Sequence, residues 1–426
     1  MVFAGQRYYD IYRIMLTKIG LWPYQKPSIL QTVFFFSAYI SFILFQLTVF
    51  LTTKCDFGDV INIFSYILPS FAYFIFYNCF YFNTNEVSTT CGFIYTGFLH
   101  RVRISCFCEQ RGYVKQSLFK RQIKQLLEQI KMDWNTVEDS EMRILEKYAV
   151  GSRTISLILV SVLTFGGVVL IIVEMLPVIL DVIAPMNVSR PRKITVDFEM
   201  FLDQQQYFYV YLIHEIVVVM VGFSTIVATG SLLLAFLTHS CATYKIASIL
   251  IGNIVTKQTF EIPTDQKTRE MYRRITRAVF MQRKAIQFTK FLINSVDKWF
   301  FVLMGTGVLS LSCNLLRFLT AVTVLKEISN AIISSGVVFG HFAIMFIGNF
   351  IGQIVTDHSA GMFTAVCNTT WYLAPLPIQK MLLFVMQYSL KANTVMVGGI
   401  FIASLEGFST LVTTSISYFT MLYSTS

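Results

Sequence analysis

Residues 394–423, TVMVGGIFIASLEGFSTLVTTSISYFTMLY, are apolar enough to cross a bilayer. They hold no Lys, Arg or Asp and one Glu, Glu406. The run reads as a last helix, Thr394 to Tyr423, unusually rich in small hydroxyls. Thr410, Thr414, Ser417, Met421 and Ser424 recur at steps of three and four, which places them on one helical face. Leu405, Phe408, Leu411, Phe419 and Leu422 mark the other. A helix surrounded by lipid has no need of a hydroxyl stripe. Its hydroxyls bond their own backbone four residues back, pack against another helix, or face water in a pore. All three readings stand on this stretch alone.

The rest of the chain agrees that a bilayer is the solvent. Of 426 residues, 55% are hydrophobic and 14% charged, against about 25% charged in ordinary domains; the mean hydropathy is +0.61. That is a polytopic membrane protein, so the net charge of +10 is to be read by side of the membrane and not as a nucleic-acid footprint. The N-terminus mixes charge into its apolar pattern, and no cleavable signal is expected there. Residues 1–28, with Arg7, Arg13, Lys18 and Lys26, read as an amphipathic helix on the cytoplasmic surface. Spans long enough for about 30 Å of hydrocarbon follow at Ile29–Thr53, Val60–Phe82, Thr154–Leu180, Tyr207–Leu237, Trp299–Val324, Ala331–Val355 and Val395–Tyr423. Residues 29–355 thus hold six crossings and residues 395–426 the seventh. Residues 356–394, with Trp371–Leu390 interrupted by Pro375 and Pro377, read as a helix packed on the inner side.

Orientation follows from the basic residues. With the N-terminus inside, the inner segments 1–28, 83–153, 238–298 and 356–394 carry 4, 11, 11 and 2 Lys and Arg; the outer loops carry 1, 3 and 1. The expectation is an all-α protein of seven transmembrane helices, N-terminus cytoplasmic and C-terminus extracellular. A G-protein-coupled receptor has the reverse orientation. The sequon at Asn187 then lies outside and is a glycosylation candidate; the one at Asn368 lies inside.

Two inner stretches stand apart. Gln122–Met142 has Ile123, Leu126, Leu127 and Ile130 on one face and reads as an amphipathic helix. Residues 87–121 have no periodicity and three of the eight Cys, an atypical insert. It is either a basic loop or a translated intron, since the codons of Val87-Ser88 accommodate a splice donor. Residues 238–298 are dense in charge with Met271, Ile275, Ala278 and Val279 at helical spacing, which favours packing into an inner assembly.

No catalytic set emerges. The five His fall in different segments without metal-ligand spacing, and there is no HExxH, GxSxG or P-loop. The eight Cys give no disulfide framework. No metal, cofactor or enzymatic activity is expected. Intramembrane Glu174, His214, Glu215, Arg317, His341 and Glu406 are functional candidates by default, or pair between helices, as Arg317 with Glu406. Aromatic outer halves at Phe71, Phe74, Tyr207, Tyr211, His214 and Phe339 suit either a pocket for a small apolar ligand or ordinary helix packing.

Gly352-Gln353, Asp357-His358-Ser359, Trp371-Tyr372, Pro375, Gln379-Lys380 and Lys391, followed by Gly398-Gly399, Ser404-Leu405, Phe408 and Ser417-Tyr418-Phe419-Thr420, together resemble the last third of insect odorant receptors. Tyr9-Asp10-Ile11-Tyr12 with Gly20-Leu21-Trp22-Pro23-Tyr24, and Lys124 to Trp134, resemble the same family's N-terminal helix and first inner loop. Gustatory receptors end on a Thr-Tyr motif that Ser417-Tyr418-Phe419-Thr420 does not match. The resemblance implies a subunit of a ligand-gated, non-selective cation channel, four subunits around one pore, working with an odorant coreceptor in the plasma membrane of an olfactory neuron dendrite. It implies that the last helix lines the pore, with an apolar gate at Met421 and Ser417, Thr414 and Thr410 along the path. It also implies an inner anchor that includes Trp371, Tyr372, Pro375, Gln379 and Lys380. A gustatory-type channel and an inverted-topology transporter are the alternatives.

Overall fold

The computed structural model describes residues 5–25, 28–52, 56–84, 122–184, 190, 192, 194, 196–255, 264–325 and 328–425. The expectations for residues 87–121 and for Asn187 lie outside these. Among these residues ten α-helices follow in order: α1 Gln6–Lys18, α2 Ile29–Thr52, α3 Phe57–Thr84, α4 Gln122–Thr136, α5 Asp139–Ile183, α6 Phe208–Gly252, α7 Thr264–Thr320, α8 Ile328–Cys367, α9 Leu376–Ser389 and α10 Leu405–Thr425. A π turn, Ala321–Leu325, ends α7, and a 3-10 turn, Trp371–Leu373, precedes α9.

Among the described residues, α2, α3, α5, α6, α7 and α8 are long and apolar enough to cross a membrane. At 1.5 Å per residue the 45 residues of α5 and α6 and the 57 of α7 run to about 68 and 85 Å. That far exceeds the ~30 Å hydrocarbon layer. Each therefore continues past the membrane as a rod, and the rods gather with α1 and α4 at one end of the molecule. The described parts of the charged stretch, 238–255 and 264–298, are in this bundle, packed as the apolar spacing indicates: Met271, Ile275 and Ala278 are buried.

α6 occupies the middle, against α3, α5, α7 and α8. Its buried Thr225 and Thr229 return their hydroxyls to the carbonyls of Val221 and Thr225 at 2.9 and 2.7 Å, so close packing leaves neither of these two donors unsatisfied.

Three local readings change. The amphipathic stretch Gln122–Met142 is two helices, because Glu138 caps α5 and the Glu141 carboxylate accepts the Glu138 N–H at 3.2 Å. α1 buries Tyr8, Tyr9, Tyr12 and Leu16 against α5 and α6, with Tyr12 hydrogen-bonded to Ser152 at 2.8 Å. Its apolar face meets protein. The last helix starts at Leu405, not Thr394. Gly398 and Gly399 sit at φ of 63° and 69°, which a helix does not admit. They turn a short antiparallel hairpin, Met396–Val397 with Phe401–Ile402.

That hairpin sets the aim of α10. The Gly398 N–H donates to Asp297 of α7 at 2.5 Å, and Gly352 of α8 lies against the Ala403 backbone. Ser404 then caps the helix by accepting the Gly407 N–H at 3.0 Å. At 21 residues α10 is about 30 Å long, enough for one crossing, but its hydroxyls leave it less apolar than the other six.

Candidate functional site

One face of α10 is seated and the rest is bare. Gly407, Leu411 and Ser415 are buried against α7 and α8. Ser312 donates to the Ser415 carbonyl at 2.9 Å, and Phe408 packs on Phe346 at 5.4 Å between centroids. Thr410, Ser417, Thr420, Met421 and Ser424 are exposed, and Thr414 is half-exposed. The hydroxyl stripe expected from the spacing therefore lies on the uncovered surface, which also carries Leu405, Ile416, Tyr418 and Tyr423.

Its hydroxyls are not idle donors. Thr410, Thr414 and Ser417 give their protons to the carbonyls of Glu406, Thr410 and Thr413 at 3.0, 2.7 and 2.9 Å. Each oxygen keeps lone pairs free to accept. The backbone-bonded and outward-facing readings hold together: the donor is satisfied within the helix while the acceptor faces outward. A column of such oxygens can replace part of a cation's hydration. Met421, 62% exposed near the C-terminal end, is the apolar member of the stripe.

The six aromatic and histidine candidates do not meet in one place. Tyr211 and His214 do, across Phe198, at centroid distances of 5.1 and 5.6 Å. Phe198 belongs to residues 196–200, which fold over the bundle: Val196 and Phe198 are buried, as is Ile194. The Glu199 N–H donates to Phe45 O at 2.9 Å, and Asn62 bonds Asp197. His214 also meets Ser41 at 3.0 Å. Phe74 packs separately against Phe36 and Tyr39, while Phe71, Tyr207 and Phe339 are exposed.

The intramembrane charges are arranged differently from the sequence expectation. Arg317 stacks on Tyr66, its guanidinium 4.0 Å from the ring centroid, and among the described residues it forms no ion pair with Glu406, which is exposed. Glu174 of α5 and Glu215 of α6 are both buried and interact electrostatically. His341 bonds the Val337 carbonyl at 2.8 Å and Ser310 at 2.7 Å. Among the described residues no three His, Cys, Asp or Glu gather as a metal site.

The end carrying α1 is tied by polar links that spacing does not reveal. Asp133 of α4 meets His239 of α6 at 3.0 Å and Lys284 of α7 at 2.6 Å. Arg277 bonds Glu141 at 2.8 Å and also Glu138, and Arg7 pairs with Glu146. Burial, then the Glu128 carboxylate 2.7 Å away, pushes the Tyr24 phenol above its usual range. His358 Nδ1 bonds the Ile354 carbonyl at 2.8 Å, so it is the proton-bearing nitrogen, and Nε2 accepts from the Tyr148 hydroxyl at 2.6 Å. Ser359 accepts the Asn393 N–H at 2.8 Å. Gln379 donates to the carbonyls of Tyr372 and Ala374, both at 2.8 Å, which fixes the turn through Pro375 into α9. Ile378, Leu382 and Val385 seat α9. On its other side Tyr372, Leu376, Phe384 and Tyr388 are exposed beside Lys380, an apolar face larger than single surface residues account for. Trp371 is half-buried at its edge.

The sequence profile described as 7tm Odorant receptor matches residues 116–416. Comparison with curated proteins finds no match. Among solved structures, the insect olfactory receptor OR5 from Machilis hrabei in complex with eugenol superposes with a TM-score of 0.66 at 13% identity, covering 99% of this chain and 98% of that one. A second structure of the same receptor gives a TM-score of 0.60 at 13% identity, covering 98% and 97%. At such identity the likeness is one of fold.

Proposed function

Since the chain belongs to the 7tm odorant receptor family, whose members are receptors and channels, we propose that this multi-pass membrane protein is an odorant-gated, non-selective cation channel subunit. It works with an odorant coreceptor as a heterotetramer in the dendritic plasma membrane of an olfactory sensory neuron, N-terminus inside. The observation that carries the reading is α10: a helix long enough to span, seated on one side and presenting hydroxyls and Met421 on the other. Four such faces around an axis make a polar path closed by a ring of methionines, which excludes ions by dewetting until the helices move apart. The apolar face of α9 with Trp371, Tyr372, Pro375, Gln379 and Lys380 supplies the anchor between subunits.

The OR5 structure holds eugenol, and by that analogy the ligand here is a small volatile molecule. Tyr211, His214 and Phe74 remain the best pocket candidates on the protein side; Phe71, Tyr207 and Phe339 reach a ligand only from the exposed surface. Binding shifts the population toward the open arrangement in proportion to its preference for that state.

Whole-cell current on expressing the chain with and without the coreceptor, across a panel of volatiles, tests this. Odorant-dependent cation current only with the coreceptor supports it. Current without the coreceptor indicates a gustatory-type channel, and saturable uptake without current indicates a transporter.

A further inference from the structure

The seam between α2 and α6 opens outward into an apolar groove of about 570 Å³, within the range of about 300–1,000 Å³ seen for small-ligand sites. Phe35 and Val221 form its floor, both buried, while Leu30, Phe34 and Met220 stand as exposed walls. Where the helices meet closely, Tyr39 bonds Thr225 at 2.7 Å. Along α6 its lining runs from Ile216 to Ser224. That is about 12 Å of helix, close to the ~15 Å depth of one leaflet.

One lining residue is a cation. Lys18, the last residue of α1, lines it and is exposed. Among the described residues it forms no ion pair. Apolar walls one leaflet deep with an ammonium in their lining match an acyl chain below a negatively charged phosphate and headgroup. A neutral sterol leaves Lys18 without a partner.

We propose that this groove is a binding site for one anionic phospholipid, its chain between α2 and α6 and its headgroup on Lys18. In the orientation proposed above, the lipid comes from the cytoplasmic leaflet, which is the anionic one; only the choice of leaflet rests on that orientation. An occupied groove fills the seam that joins α1 and α2 to the central helix. The site thus couples leaflet charge to the α1 end of the bundle.

The test is native mass spectrometry of the purified full chain in detergent, titrated with palmitoyl-oleoyl phosphatidylserine or with the phosphatidylcholine of the same chains. One lysine near a headgroup corresponds to about a fivefold preference. The wild type should retain one phosphatidylserine about fivefold more tightly than phosphatidylcholine. Lys18→Gln, an exposed substitution that leaves the fold intact, should equalise the two lipids. Val217→Trp, which fills the groove, should lose both. Equal retention of the two lipids by the wild type, or an undiminished phosphatidylserine preference in Lys18→Gln, overturns the proposal. The readout uses no odorant and no current, so this claim and the channel reading fail separately.

Discussion

Replacing Gly352 by Ala should unseat the last helix. An added Cβ would lie 2.6 Å from the Ala403 Cβ and 3.0 Å from its carbonyl carbon, with the carbonyl oxygen nearer still. Ordinary contact begins near 3.4 Å, so the two elements must part by close to 1 Å. The opposing atoms are mainly backbone and do not turn away as a side-chain tip does. Ala403 stands two residues before α10, so the shift is passed to the base of that helix. Two effects compete. Ala in place of Gly favours a helix interior by about 1 kcal/mol, and overpacking costs about 1–3 kcal/mol. With rigid backbone opposite, the upper end applies and Gly352→Ala loses about 2 kcal/mol net. Gly348, one turn earlier on α8, has nothing within 4 Å of its Cβ position, so Gly348→Ala keeps only the helical gain. Thermal melting of detergent-solubilised protein by fluorescence size-exclusion compares the two. Gly348→Ala should melt at or above the wild type and Gly352→Ala below it. Equal melting of the two variants refutes the role given to the α8–hairpin contact.

Other expectations follow from the same contacts. Asp133→Ala leaves Lys284 and His239 facing an emptied site and should cost about 3–5 kcal/mol, read as loss of the monodisperse peak; wild-type melting would sink the idea. Tyr24→Phe removes a half-buried bond to Glu128, worth about 1–2 kcal/mol. Because the folded-state pKa of Tyr24 is raised, its contribution is present below about pH 10 and lost as pH rises further. Alkaline melting should therefore be steeper in the wild type than in Tyr24→Phe. With the N-terminus inside, glycosidase should shift the wild-type band and not that of Asn187→Gln; a shift abolished by Asn368→Gln would invert the topology. If residues 87–121 are a translated intron, deleting them should raise surface expression, whereas a fall would assign that stretch a place in the fold.

The apolar runs are legible because a bilayer demands about 20 apolar residues per crossing, and α2, α3 and α5 to α8 satisfy that demand without help from tertiary contacts. The hydroxyl face of α10 is legible for a similar reason: its period is local, and the structure leaves the same face uncovered. The start of α10 is not. Hydropathy runs unbroken from Thr394 to Tyr423, and only Gly398-Gly399 hints at the hairpin, which Asp297 and Gly352 hold from other helices. Nor does spacing show that Arg317 stacks on Tyr66, or that Asp133, His239 and Lys284 converge, since each of these contacts joins residues far apart in the chain. Aromatic candidates scatter because Phe and Tyr are abundant everywhere in this chain. A residue's presence near an outer end says little about which neighbour it faces.

The bare face of α10 is proposed to line an ion path. Single cysteines at Thr410, Ser417 and Met421, and at the seated Leu411 and Ser415, co-expressed with the coreceptor, can be treated with a charged methanethiosulfonate reagent during odorant-evoked current. If the bare face lines the path, Thr410→Cys, Ser417→Cys and Met421→Cys lose current on modification, while Leu411→Cys and Ser415→Cys keep it. Uniform insensitivity along the bare face, with surface expression intact, would contradict it.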